Sequence, residues 1–183
     1  MTRFIKINWT HKRVFVVMSE IATTRFNNET YMENVRWREK NSWDGCIYGS
    51  PKQISDMFTP KIYIFVLEMN NDTNKIKGVG LIKNRIVINK TNDINHNKYY
   101  KLYSQRNYNR YIYKSKYRID RKEMTHDEKK VLRIFDMLVF KGKTHLKRGQ
   151  GIIVVPEWIK NNNIINFIKL LKKMFHERYK LFN

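Results

Sequence analysis

Residues 62–84 read IYIFVLEMN, NDTNK and IKGVGLIKN in succession: an apolar run, a polar turn and a second β-branched run. That order predicts a two-stranded hairpin, the most definite unit of the chain. Gly78 and Gly80, two residues apart in the second strand, face one side and leave room there for a neighbouring backbone or a ligand. With GIIVVP at 151–156, the run at 62–67 is the longest apolar stretch, and both are strand-sized rather than membrane-spanning.

The remaining segments take their places around this hairpin. KRVFVVMSE, residues 12–20, predicts a first buried strand, and residues 28–40 carry helix formers. Between Tyr108 and Ile119 the residues alternate, with Tyr111, Tyr113, Ser115, Tyr117 and Ile119 on one face and Arg110, Ile112, Lys114, Lys116 and Arg118 on the other. This predicts one half-buried strand with a basic face. Thr125 and Glu128 form a capping-box pattern ahead of Val131, Leu132, Phe135, Leu138 and Val139, so a helix is expected over 126–140. GIIVVP predicts a further strand. Residues 163–180 place Ile164, Ile165, Phe167, Ile168, Leu171, Met174 and Phe175 on a broad apolar face of a C-terminal helix docked on a sheet. Together these predict a single α+β domain over residues 1–183, with a curved or barrel-like mixed sheet and helices packed around it.

Composition supports folding and points to a polyanionic partner. Hydrophobic residues make up 42% of the chain, enough to bury a core despite a net charge of +21. The charge is lopsided. Residues 1–72 hold ten basic and eight acidic side chains, residues 73–183 hold 27 and eight, so +19 of the +21 lies in the latter. A field of this sign and localisation draws phosphate backbones and gives salt-dependent affinity. The over-used Asn, Ile and Lys suit the coding of an AT-rich genome, whether of a parasite, a bacterium or a large DNA virus. One cysteine, Cys46, allows no disulfide and no cysteine-based zinc site within the chain, which suits a cytoplasmic or nuclear, reducing compartment.

Catalytic patterns are few. Gly142, Lys143 and Thr144 look like the end of a phosphate-binding loop, but Met137 stands where that loop needs its first glycine, and a helix rather than a strand precedes it. The five histidines are scattered, and Glu20, Asp44 and Glu68 have no spacing that commits them to a metal. No catalytic activity, cofactor or metal is expected. The loop KGKTHLKRGQG at 141–151 is either a phosphate-binding loop, with Lys143, Lys147 and Arg148 beside backbone made approachable by glycine, or a solvated connection. The segment YYKLYSQRNYNRYIYKSKYR at 99–118 interleaves aromatics with cations, as single-stranded nucleic-acid surfaces do. Trp43 lies in NSWDGCIYGSP, which reads as a loop, and is either a core lid or one wall of a ligand pocket.

The order of these pieces resembles the YTH domain, the reader of N6-methyladenosine in RNA, within the PUA-like group that includes EVE domains. The resemblance covers about residues 13–179. RVFVVMSE resembles the family's opening strand, with Met18 at its lysine position and Ser19 kept. SWDG resembles the first loop tryptophan, the hairpin at 62–84 has the family's form, and GKTHLKRGQGI resembles its Lys-to-Arg-x-Gly-Gln segment. The final helix matches in position and basic character. The resemblance implies a PUA-like fold and an aromatic base pocket of Trp43 and Ser19. No tryptophan follows the hairpin before Gly151, so Tyr99, Tyr100 or Tyr103 would supply the second wall. Arg110, Lys114, Lys116, Lys143, Lys147 and Arg148 form the expected phosphate-binding set. The expected function is non-catalytic reading of nucleic acid, RNA more than DNA, at a modified base. The rival expectation is a structural protein that coats or packages nucleic acid by charge alone.

Overall fold

The structure, a computed structural model, describes residues 18–56, 58–87, 100–160 and 164–182. Its centre is a five-stranded mixed sheet in the order β6-β4-β3-β1-β7. The predicted hairpin is there as β3 (Tyr63–Asn70) and β4 (Lys75–Lys83), paired antiparallel. β1 (Ser19–Phe26) runs parallel to β3 on the hairpin's other side. A parallel pair needs a crossover of a dozen or more residues, and here α1 (Asn28–Lys40) and β2 (Cys46–Ser50) supply it.

The near-continuous apolar strands follow from burial on both faces. On one face Ile21, Phe65, Leu67, Met69, Val79 and Leu81 pack under α2 (His126–Phe140) and α4 (Phe167–Tyr179). On the other, Ala22, Ile64, Val66 and Ile82 pack against a second layer, a two-stranded ribbon of β2 with β5 (Tyr111–Ser115). No closed barrel forms among the described residues.

Both expected capping-box ends are made: the Thr125 hydroxyl accepts from Glu128 N while the Glu128 carboxylate accepts from Thr125 N, and α2 covers the expected span. α1 is polar and buries only Asn34, whose amide donates to the Ile47 carbonyl at 2.7 Å and to the Tyr103 hydroxyl at 3.2 Å. These hydrogen bonds, with Tyr31 and Trp37 packed on the ribbon's cluster, hold a helix that lacks an apolar stripe.

Four expectations need correction. The first described strand is Ser19–Phe26, so Ser19 opens a strand rather than closing one; residues 12–17 lie outside the described residues. The single strand expected over 108–119 is a 3-10 turn at Arg106–Asn109 followed by β5 and by β6 (Arg118–Asp120), which belong to different sheets. Between them the chain turns, and the alternation resumes on a new partner. Only Ile153–Val154 of the GIIVVP run, β7, pairs with β1, and a short helix α3 (Glu157–Lys160) follows. Cys46–Ser50, expected to be loop, is a fully buried strand.

The room beside Gly78 and Gly80 is filled by the protein itself. A Cβ on Gly80 would lie 2.1 Å from the Tyr48 hydroxyl, and one on Gly78 would lie 2.8 Å from the Glu68 carboxylate. Glu68 follows the regular alternation of β3 onto the face of Ile64 and Val66, opposite the point where the extra residue of β4 shifts the β3–β4 register. Arg118, expected on a basic surface, is 5% exposed and grips Glu68 through Nε at 2.8 Å and Nη2 at 2.7 Å. Tyr48 completes the group by donating to Glu68 at 2.9 Å.

Candidate nucleic-acid interface

The residues expected to form the base pocket divide among separate places. Trp43 lies between α1 and β2, with its indole N–H donated to the Cys46 carbonyl at 3.2 Å. Trp37 from α1 and Tyr100 flank each other nearby, ring centroids 5.8 Å apart. An occupant already stands among the three rings. The Lys114 ammonium lies 3.8 Å from the Trp43 centroid, 5.4 Å from Trp37 and 5.8 Å from Tyr100, within cation–π range of all of them. Burial among these rings lowers the pKa of Lys114 from its ordinary value. Ser19 opens β1 opposite Tyr63, at the far end of that strand from Phe26. Tyr99 lies outside the described residues.

Tyr103 helps to build a different cavity, of about 280 Å³, where β1 ends and α1 begins. Phe26, Tyr103 and Tyr108 supply its flat walls; Tyr103 meets Phe26 and Tyr108 with ring centroids 6.4 Å apart in each case. This close packing depends on Gly49, where a Cβ would lie 2.1 Å from the Tyr108 carbonyl and 2.9 Å from the Tyr103 ring. Tyr103 is buried, with its hydroxyl held by Asn34, whereas Tyr108 is half-buried and lines the cavity.

The cavity's cationic wall comes from Arg25 at the end of β1 and Lys147 of the 141–151 loop. The loop is tied there by two hydrogen bonds, Arg25 Nη1 to the Leu146 carbonyl at 3.4 Å and Asn71 Nδ2 to the Lys147 carbonyl at 3.3 Å. Gly149 and Gly151 bring bare backbone to the rim, and Gly151 takes the left-handed φ of 76°. Burial lowers the pKa of Arg25, the signature of a cation partly stripped of water. Aromatic rings beside two cations can stack a base and hold a phosphate, and the volume falls just below the usual range of ligand sites, about 300 to 1,000 Å³.

The other expected phosphate contacts surround this region without converging on it. Lys143 and Arg148 are exposed on the same loop, and Arg110 is exposed over Tyr111 with 5.3 Å between guanidinium and ring centroid. Lys116 is exposed beyond β5, over Tyr117. Lys147 alone of the set lines the cavity, while Lys114 occupies the aromatic box. Arg25, Phe26 and Tyr108 are the residues that sequence reasoning did not single out. Tyr108 lay within the aromatic-basic stretch, but nothing in SEIATTRF marks its last two residues as cavity walls.

Among the described residues no cluster of three or more His, Cys, Asp or Glu could hold a metal ion, and no helix is long and apolar enough to cross a membrane. No protein-family model matches the chain, and neither does a curated protein or a solved structure.

Proposed function

We propose that the protein binds nucleic acid without catalysis, and that it reads RNA by taking one base into the cavity at the end of β1. The observation that carries this reading is the convergence, in about 280 Å³, of the Phe26, Tyr103 and Tyr108 rings with Arg25 and Lys147. A base would stack on Tyr108, and its flanking phosphates would meet Lys147, Arg148 and Lys143. Under the PUA-like reading of the fold, the base is a modified one of the N6-methyladenosine type, which flat aromatic walls favour over its unmethylated form. Cytoplasm or nucleus suits the single buried thiol.

Charge-driven coating is favoured by a different observation, the spread of exposed cations such as Arg110, Lys116 and Lys143 beyond the cavity. Equilibrium binding separates the two. Otherwise identical short RNA strands carrying adenosine or N6-methyladenosine at one position are titrated at two salt concentrations. A methyl preference of about tenfold, about 1.4 kcal/mol, is the result expected of a base reader. Equal affinity for both strands and for an unrelated polyanion leaves coating by charge.

A further inference from the structure

A second cationic cleft stands next to the cavity, and the sequence reading did not single it out. Adjacent residues of α1 line the two: Thr30 the cavity, Tyr31 the cleft. The β3–β4 turn divides them in the same way, with Asn71 on the cavity side and Lys75 on the cleft side. The cleft encloses about 570 Å³ and is lined by Lys75 and Lys77 from β4, Arg121 and Lys122 from the turn after β6, Lys129 from α2, and Tyr31. Lys77 Nζ lies 5.9 Å from the Tyr31 ring centroid, and Tyr31 in turn meets Phe26 edge-on at 5.8 Å.

The anions that could neutralise these lysines are committed elsewhere. Asp120, the carboxylate in the cleft, is held by Arg118 Nη1 at 3.0 Å. Asp136 is paired with Arg121 at 2.8 Å. Lys75, Lys77, Lys122 and Lys129 make no ion pair with a carboxylate among the described residues, and the Lys129 ammonium donates instead to the Lys122 carbonyl at 3.2 Å. Four lysines that line one cleft, whose carboxylate is already engaged by Arg118, repel each other until a polyanion arrives.

We infer that this cleft is a backbone-binding extension of the site: a strand whose base enters the cavity crosses the first turn of α1 and the β3–β4 turn, and lays its next phosphates among these lysines. The inference rests on the nucleic-acid reading and adds a direction and a length to it. The footprint is several nucleotides rather than one, with Tyr31 available to stack a second base.

The test uses the full chain, a fluorescent RNA of about twelve nucleotides and one of about four, and two variants that each remove three charges. One is Lys75→Gln/Lys77→Gln/Lys122→Gln in the cleft; the other is Lys169→Gln/Lys173→Gln/Lys180→Gln on and just beyond α4. Five of the six are exposed and Lys77 is half-buried, and a thermal melt checks that both variants fold as the parent does. The cleft variant is expected to lose about tenfold or more in affinity for the longer strand, to flatten its log–log salt slope by about two, and to bind the shorter strand as the parent does. The α4 variant is expected to change both affinities by less than about threefold. Equal losses in the two variants, or no loss in the cleft variant, overturn this extension. Failure of the parent protein to bind either strand removes the nucleic-acid reading itself.

Discussion

Replacing Arg118 by methionine removes a buried cation whose three hydrogen bonds to carboxylates span 2.7–3.0 Å. The Glu68 carboxylate is then left 2% exposed, with the Tyr48 hydroxyl as its remaining side-chain donor. Breaking one half of a buried pair costs about 3–5 kcal/mol, because the partner charge stays in a low-dielectric site without compensation. Folded domains are stable by about 5–15 kcal/mol, so this one change removes a large fraction of the total. Glu68→Gln is expected to cost less, about 1.5–3 kcal/mol, since Arg118 keeps Asp120, which is 22% exposed and reaches water. Combining Arg118→Met with Glu68→Gln is expected to cost less than Arg118→Met alone, because the carboxylate then left unpaired, Asp120, reaches water and the deeply buried Glu68 charge is gone. Urea titration followed by circular dichroism measures all three, with an unchanged slope marking a change in stability rather than in the unfolded state. A cost below about 1 kcal/mol for Arg118→Met, or a double variant weaker than the sum of the singles, refutes the reasoning.

Other outcomes follow from the same packing. Burial pushes the Cys46 thiol up to about 12, so a thiol reagent at pH 8 should label the native protein far more slowly than the urea-unfolded protein; equal rates would contradict the buried strand. Burial raises the pKa of Glu128, but hydrogen bonds from Arg178 and Thr125 outweigh it, and the net value lies below the ordinary 4.5. The α2–α4 clamp is therefore fully present above about pH 4.5 and lost as pH falls through the depressed folded value. Thermal melts of the parent from pH 6 to pH 3 should decline more than those of Glu128→Gln, and parallel declines would remove the clamp from the account. In RNA binding, Tyr108→Ala is expected to cost about 1–3 kcal/mol with little change in salt slope, whereas Trp43→Ala costs under about 1 kcal/mol because Lys114 occupies that ring. The reverse order would return the base to the Trp43 box.

What could be read from the sequence was local. The hairpin at 62–84, the capped helix His126–Phe140 and the apolar face of α4 each carry their signal within one stretch of chain, as alternating or helical periodicity with a turn or cap beside it. The errors came where a distant partner decides. Arg118 belongs to an alternating basic stretch, and the buried Glu68 carboxylate, 50 residues away in the chain, draws it inside. CIYGS is too short and too rich in small residues to announce a strand, yet its pairing with β5 buries every residue of it. Tyr103 and Lys147 were singled out as site residues, but for different roles; Arg25, Phe26 and Gly49 join them because β1, β2 and the 141–151 loop meet in space. Lys114 and Trp43 were assigned to separate sets, phosphate and base, and instead occupy each other.

The placement of the bound base tests the central claim most directly. A short RNA carrying a photoactivatable 4-thiouridine is crosslinked to the full chain at moderate salt, and the attached peptides are identified by mass spectrometry. Crosslinks concentrated on Phe26, Tyr103, Tyr108 and the Lys147–Gly151 segment, and abolished by competing unlabelled RNA, are the expected result. Crosslinks distributed over α4 and the other exposed lysines, or confined to Trp43 and Tyr100, would contradict the cavity at the end of β1 as the base site.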